Sequence, residues 1–392
     1  MKKSKDIFAM VGAKVPRILL PRKGTKYDKF SVIACDQHSA DPEYWQSVKD
    51  YVGDAPSALN MILPEAWLER QGEQTTDIIT NTMRQYLDDG ILEDRGECLI
   101  SVHRTTDCGM RKGLMIALDL EQYDYSKNAK TLIRATEDTV VDRLPARIAV
   151  REKAPIEMPH VMVLINDRLN MLEGVIERNK EAYEVAYNFD LMKGGGHIRG
   201  RIIDKPQDLL DIAGVLETLY RQSEDGFMYA MGDGNHSFAA AKQRWEKLKP
   251  TLSSEQRQNH PARYAMAELV NIYDHGLGIE PIHRLLSGVN AMQVQREIKF
   301  DAANPPSLQE LQPRLDRWLA RHPEATLEYI HGEDECRRLG EAEGRMAIIF
   351  PKFDRESIFS IVREKGAFVR KSFSLGNANG KRYYLECRKI VD

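Results

Sequence analysis

The sequence predicts a mixed α+β protein, and three stretches carry that expectation. Cys98 to Arg104 and Gly113 to Leu120 are apolar runs of strand length, joined by a polar Asp107 to Lys112 turn as in an antiparallel pair. Gln74 to Asp89 has the spacing of an amphipathic helix, with Gly90 placed to end it. Phe227 to Leu248 passes from an apolar run through a glycine-rich turn into a second amphipathic helix. With 392 residues and 42% hydrophobic content, the chain is long enough for two or three packed units.

Composition removes several functional classes. A net charge of -3 and a pI near 6.4 give no bulk attraction for nucleic acid, and no recognition helix or basic stripe is visible. No stretch has the length of an apolar membrane span, and the patch after Lys5-Asp6 is not a secretory apolar region. The five cysteines Cys35, Cys98, Cys108, Cys336 and Cys387 form no C-x-x-C pair, so reduced thiols in a cytoplasmic protein are expected. Cys98, His103 and Cys108 lack a fourth ligand at a recognised zinc spacing. No G-x-x-x-x-G-K-[ST] loop is present, which excludes a P-loop mechanism.

In chain order, Val15 to Leu20 and Phe30 to Ala34 are expected strands, with Cys35-Asp36-Gln37-His38 at the end of the second. Such polar residues at a strand end line a site or serve the turn before Asp41-Pro42. Ser39 to Val52 is expected as a capped helix, and Leu63-Pro64-Glu65 starts another. The cluster Arg134, Thr136, Glu137, Asp138, Thr139, Asp142 and Arg143 has the acid content of a helix start, and Glu137 is open to that plain role. His160 to Asn166 is expected as a buried strand and Gln207 to Gln222 as a helix. Between them, Lys193 to Gly200 either closes over a phosphate-bearing ligand or turns a hairpin. Ile282-His283-Arg284 is a strand or turn position carrying a His-Arg pair, Met346 to Phe350 is expected as a strand, and Leu308 to Leu319 and Asp334 to Glu343 as helices. The basic, glycine-broken stretch Lys371 to Tyr384 leads into an expected strand at Leu385 to Ile390. No internal repeat or low-complexity linker interrupts the chain.

The stretch richest in chemistry is the turn Gly232-Asp233-Gly234-Asn235-His236-Ser237. Its glycines let the backbone take positive φ and pass close to a ligand. A helix starting here aims free N–H groups and a positive dipole end over the turn, which suits a phosphate. Asp233 adds a metal or proton ligand and His236 a second donor. A plainer account stands beside this one: Asp233 or Asn235 caps the helix, and His236 is a solvated first-turn residue. The dinucleotide fingerprint is discarded, because Ser237 stands where a third Gly or Ala is expected and Glu255 does not end a strand.

Several of these pieces resemble one family. Ile133 to Thr139 with Asp142-Arg143-Leu144, the Met231 to Ala241 turn, Pro281-Ile282-His283-Arg284, Phe373 to Gly376 and Lys381-Arg382-Tyr383-Tyr384 together resemble the family catalogued as domain of unknown function 1015. The resemblance covers nearly the whole chain. It implies a central part similar to the ParB/sulfiredoxin superfamily and, within that, to the ADP-dependent free serine kinases. On this basis Glu137 matches the glutamate that deprotonates serine, Asp233 the aspartate near metal and substrate, and His236 a phosphate-contacting histidine. Thr136, Asn235 and Ser237 depart from the family's two histidines and its arginine. Losing that arginine removes a bidentate phosphate clamp, so the charge has to come from His283-Arg284 or Lys381-Arg382.

The resemblance implies a ParB/sulfiredoxin-like core at 129–250, with an insertion at about 168–224, flanked by α+β regions at 1–128 and 251–392. The implied activity is phosphoryl transfer to or from a small hydroxyl metabolite, free serine or O-phosphoserine, with a nucleotide (ADP or ATP) and Mg²⁺. The expected catalytic residues are Glu137, Asp233 and His236, with Asp233 on the metal. Gly232, Gly234, Asn235, Ser237, Arg134, His283, Arg284, Lys381 and Arg382 are the expected phosphate or nucleotide contacts. Two rivals are a phosphoserine phosphatase-like hydrolase and a non-catalytic nucleotide-sensing protein. The expected partner is a small molecule, with no membrane and no nucleic acid, and a homo-oligomer is left open.

Overall fold

The hairpin expected after Cys98 forms in the computed structural model, which describes residues 2–70, 74–137 and 144–391. Its strands, Leu99–Thr106 and Gly109–Asp119, pair Ile100 with Met115 and Thr106 with Gly109. The turn is therefore only Asp107-Cys108, tighter than the expected Asp107 to Lys112. Strand neighbours at Met115 and Ile116 point to opposite faces, and both are buried because each face of the sheet is covered.

Among the described residues, this hairpin is part of a ten-stranded mixed sheet. On one side, the Val185–Asp190 and His197–Ile203 strands form a hairpin, the plainer of the two readings of the Lys193 to Gly200 loop. On the other, Tyr264–Asn271 pairs with Met162–Ile165, which pairs antiparallel with Tyr229–Asp233. One face is covered by the helices Pro206–Gln222 and Asn235–Leu248, which bury Leu216, Phe238 and Trp245 at helical spacing. The other face buries Trp45, from the Asp41-capped helix Pro42–Val52, with Tyr383 and Tyr384 from the C-terminal segment.

The chain divides into two compact units, neither of them a continuous stretch. The larger one runs to Ala135, resumes through Leu277 and takes the chain back from Ala378. The smaller one is Gly278–Asn377 with the short segment at Thr136 and Glu137. Its sheet is centred on Ile279–Ser287, which pairs with Thr326–His331, Arg345–Ile348 and Phe373–Leu375. Its own core gathers Leu286, Val294, Leu311, Leu315 and Trp318.

Two expected strands are corrected. Phe30 ends the short helix Tyr27–Phe30, and beyond it Ile33 makes only an isolated bridge to Tyr383. The apolar run is there because these residues are fully buried, not because they run in a sheet. Likewise Leu385 to Ile390 contributes only the two-residue strand Arg388–Lys389, paired with Ile156–Glu157. Among the described residues, no helix is long and apolar enough to cross a membrane. The five cysteines are free thiols.

Candidate functional site

The Tyr229–Asp233 strand carries a bulge where it meets Met162–Ile165. Met231 pairs with Val163 and Asp233 with Met162, leaving Gly232 as the extra residue. A bulge bends its strand and re-aims the side chain that follows, here Asp233. Gly234 then takes φ +77 with Val161 against its α-carbon, so a β-carbon would sit 3.0 Å from Val161. Only glycine meets both demands without strain.

Gly234 is also the cap position of the Asn235–Leu248 helix and brings no side-chain oxygen to its first N–H groups. The Asp233 Oδ1 accepts from the Gly234 N–H at 2.8 Å instead. The capping account of Asp233 and Asn235 is therefore not what the structure has. The Asn235 Oδ1 is buried and has no hydrogen-bond partner among the described residues. His236 lies in the same first turn. Ser237, one residue on, lines a cavity of about 150 Å³.

Of the four basic residues expected to replace the missing arginine, one is at this turn. Lys381 Nζ lies 3.1 Å from Asp233 Oδ2. An ammonium has three donors, so this pair leaves donors for a ligand. Two buried arginines fix the backbone that presents it. Arg104 donates to the carbonyls of Lys381, Asn379 and Gly195, and Arg111 Nη1 donates to the Gly380 carbonyl at 2.7 Å.

The other three candidates have partners of their own. Arg382 donates to the Pro159 carbonyl at 3.0 Å, to Glu268 Oε2 at 2.6 Å and to Glu386. Burial opposes its charge, but Glu386 and Glu268 outweigh that and raise its pKa above the ordinary value. It is the centre of a buried ionic cluster. Arg284, in the smaller unit, donates to Gln312 and to the carbonyls of Ile282, Lys371 and Arg370. Burial lowers its pKa to about 10. The neighbouring His283 Nδ1 accepts from the Phe350 N–H at 3.2 Å.

Arg134 is also placed away from the turn. Its strand Ile133–Arg134 runs parallel to Tyr229–Asp233, with Arg134 level with Ala230. The side chain turns toward the strand's start, to Asp225 Oδ1 at 3.1 Å and over the Phe227 ring. Glu137 belongs to the smaller unit and Asp233 to the larger. There the Glu137 Oε1 accepts from the Ser372 N–H at 3.2 Å. Asp138 to Arg143 lie outside the described residues.

The cavity beside Ser237 brings together residues that the sequence analysis did not connect. His160 Nδ1 lies 2.9 Å from the Tyr384 hydroxyl, and its Nε2 lies 3.7 Å from Asp36 Oδ2. Tyr384 accepts from the Cys35 N–H at 3.2 Å, and burial drives its pKa well up, so the phenol stays protonated. Apolar side chains such as Met61, Met83 and Ile156 line the rest of the cavity. Asp36 stands in the polar run that follows the buried Phe30 to Ala34 stretch. His160 was hidden at the head of an apolar run, and nothing local in the sequence ties it to Tyr384.

A mixed α+β unit with a bulged strand, a glycine turn and a largely buried lysine paired to the turn's aspartate is the class that the geometry defines. The family follows from the sequence itself: a family model described as "Protein of unknown function (DUF1015)" matches residues 19–387, and the chain belongs to that family. No curated protein sequence matches the chain. Among solved structures, a conserved hypothetical protein from Pyrococcus furiosus is similar at 11% identity and a TM-score of 0.36, covering 69% of this chain and 94% of that one. A free serine kinase in complex with AMP is similar at 11% identity and a TM-score of 0.37, covering 70% and 92%. A mutant free serine kinase in complex with ADP is similar at 12% identity and a TM-score of 0.38, with the same coverage. These are distant likenesses.

Proposed function

We propose that the Gly232 to Ser237 turn binds a phosphate group and that the protein is a phosphotransferase acting on a small hydroxyl metabolite. Free serine or O-phosphoserine, with a nucleotide, is the substrate pair that the family resemblance favours. The observation that supports this most is Lys381, held against Asp233 at a helix start that no cap side chain closes. A phosphate there would meet backbone N–H groups, the helix dipole and an ammonium together. The cavity beside Ser237 has room for a small organic moiety next to that phosphate.

Mg²⁺ fits the same place. It is commonly held by one or two carboxylates with water and substrate phosphates completing the shell. Asp233 is the carboxylate at the turn, and the Lys381 ammonium now on its Oδ2 would move to the phosphate as the ion takes that oxygen. Bound there, Mg²⁺ would neutralise charge on the phosphates. Lys381 supplies the charge that an arginine at Ser237 would have given, as a point charge rather than a fork. The role of Glu137 as base rests on the resemblance alone, and the phosphate site does not use it.

A separate observation favours a hydrolytic reading. The His160 and Tyr384 pair at the cavity, with Asp36 behind His160, suits activation of a water, which would make the protein a phosphoserine phosphatase-like hydrolase. Phosphorus NMR separates these readings. Serine with Mg²⁺ and ADP or ATP should give phosphoserine, and phosphoserine with AMP should run back. Phosphate release without nucleotide would favour the hydrolase. Tight nucleotide binding with no product from any amino acid would leave a nucleotide-sensing protein.

A further inference from the structure

A second cluster of charged side chains lies away from the phosphate turn. Glu173 and Glu177 stand four residues apart on the Met171–Asn179 helix, so both carboxylates leave the same face. That face looks onto His103 in the Leu99–Thr106 strand, whose Nε2 lies 3.9 Å from Glu173 Oε1 and 3.7 Å from Glu177 Oε1. One donor atom from each of the three lies within 4.8 Å of the others. A tetrahedral ion with bonds of about 2.1 Å holds its ligand atoms about 3.4 Å apart, so little closing is needed.

Lys112 already sits in this cluster. It is the cross-strand partner of His103, and its Nζ lies 2.7 Å from Glu173 and 3.4 Å from Glu177. Lys180 pairs with Glu177 as well. The lysines answer the carboxylates but leave the imidazole unanswered. His103 Nε2 is buried and has no hydrogen-bond partner among the described residues, both carboxylates being too far to accept from it. A metal ion satisfies all three groups at once, which an ammonium does not. The Lys112 side chain is 33% exposed, so its ammonium has a route to water when displaced.

We propose that His103, Glu173 and Glu177 form a binding site for one divalent transition-metal ion, distinct from the phosphate turn and independent of the proposed activity. One imidazole and two carboxylates with no thiolate favour Zn²⁺, then Mn²⁺, and disfavour Mg²⁺. Cys98 and Cys108, the sulfur ligands weighed in the sequence, do not belong to the group. The bound ion ties the Met171–Asn179 helix to the central hairpin, which is a structural role.

The test is titration of the metal-free, full-length chain with Zn²⁺ against a chromophoric chelator, with thermal unfolding in parallel. One Zn²⁺ should bind per chain and raise the unfolding temperature. His103→Ala and Glu177→Gln should each weaken binding at least about 100-fold, the upper range for loss of an outer-shell partner. Lys112→Ala should bind Zn²⁺ more tightly than wild type, because it removes the competing cation. Circular dichroism identifies any variant that fails to fold, and the remaining variants then decide. No uptake by the wild type, or uptake unchanged in His103→Ala and Glu177→Gln, overturns the proposal. So does a Lys112→Ala chain that is destabilised and not restored by Zn²⁺.

Discussion

Lys381 holds its ammonium 3.1 Å from the Asp233 carboxylate, joining the C-terminal segment to the end of a sheet strand. Asp233→Asn removes the charge on one side of this pair and frees Lys381 for a phosphate. Binding and turnover should therefore separate. Affinity for phosphoserine without metal should hold or rise, while turnover with Mg²⁺ falls on the order of 10²- to 10⁴-fold. Calorimetry and product NMR on the one variant check both halves.

Gly234→Ala should destabilise the larger unit. The position has φ +77, and a β-carbon would meet Val161 at 3.0 Å. Left-handed backbone costs a non-glycine residue roughly 1–2 kcal/mol, and the contact adds to that. Urea unfolding should show a midpoint lowered by an equivalent of about 2 kcal/mol or more. A midpoint equal to wild type would mean the turn does not have this geometry in solution.

Acid should unfold the protein through its buried carboxylates. Burial pushes Glu268 and Glu157 up, but the guanidinium groups of Arg111 and Arg382 around the first, and of Arg388 and Arg151 around the second, bring both below 4.5. A carboxylate depressed in the folded state contributes stability above its unfolded pKa and loses it as pH falls through the folded one. Stability should accordingly fall below about pH 4.5 and not between pH 5 and 8 on their account. Glu268→Gln leaves Arg382 short of a buried partner and should cost about 3–5 kcal/mol at neutral pH while flattening the acid limb. Urea unfolding across pH measures both.

Glu137→Gln tests the residue carried by resemblance. A base in phosphoryl transfer should lose on the order of 10²-fold or more in turnover with the fold retained. If its role is only to accept from the Ser372 N–H, turnover should be unchanged and only thermal stability of the smaller unit should move.

Local pattern carried much of the fold. The Asn235–Leu248 and Pro206–Gln222 helices, the central hairpin and the glycine turn follow from periodicity and turn chemistry, which act over a few residues. What pattern could not give was long-range return. Phe30 to Ala34 had the apolar run of a strand, yet its partners are single backbone contacts from Arg382, Tyr383 and Tyr384. The same return brings in Lys381, and no local feature distinguishes it from Arg382, whose side chain is locked to Glu268 and Glu386. Arg134 and Glu137 are neighbours in sequence but fall in different units, a division that no local feature of the stretch marks.

The most direct measurement is calorimetric titration of wild type and Lys381→Met with phosphoserine and with ADP. The account predicts binding to wild type and a loss of about 10- to 100-fold in Lys381→Met, the worth of a charge-assisted hydrogen bond. Equal affinity in the two proteins, or no binding of either ligand to wild type, would contradict a phosphate site at this turn.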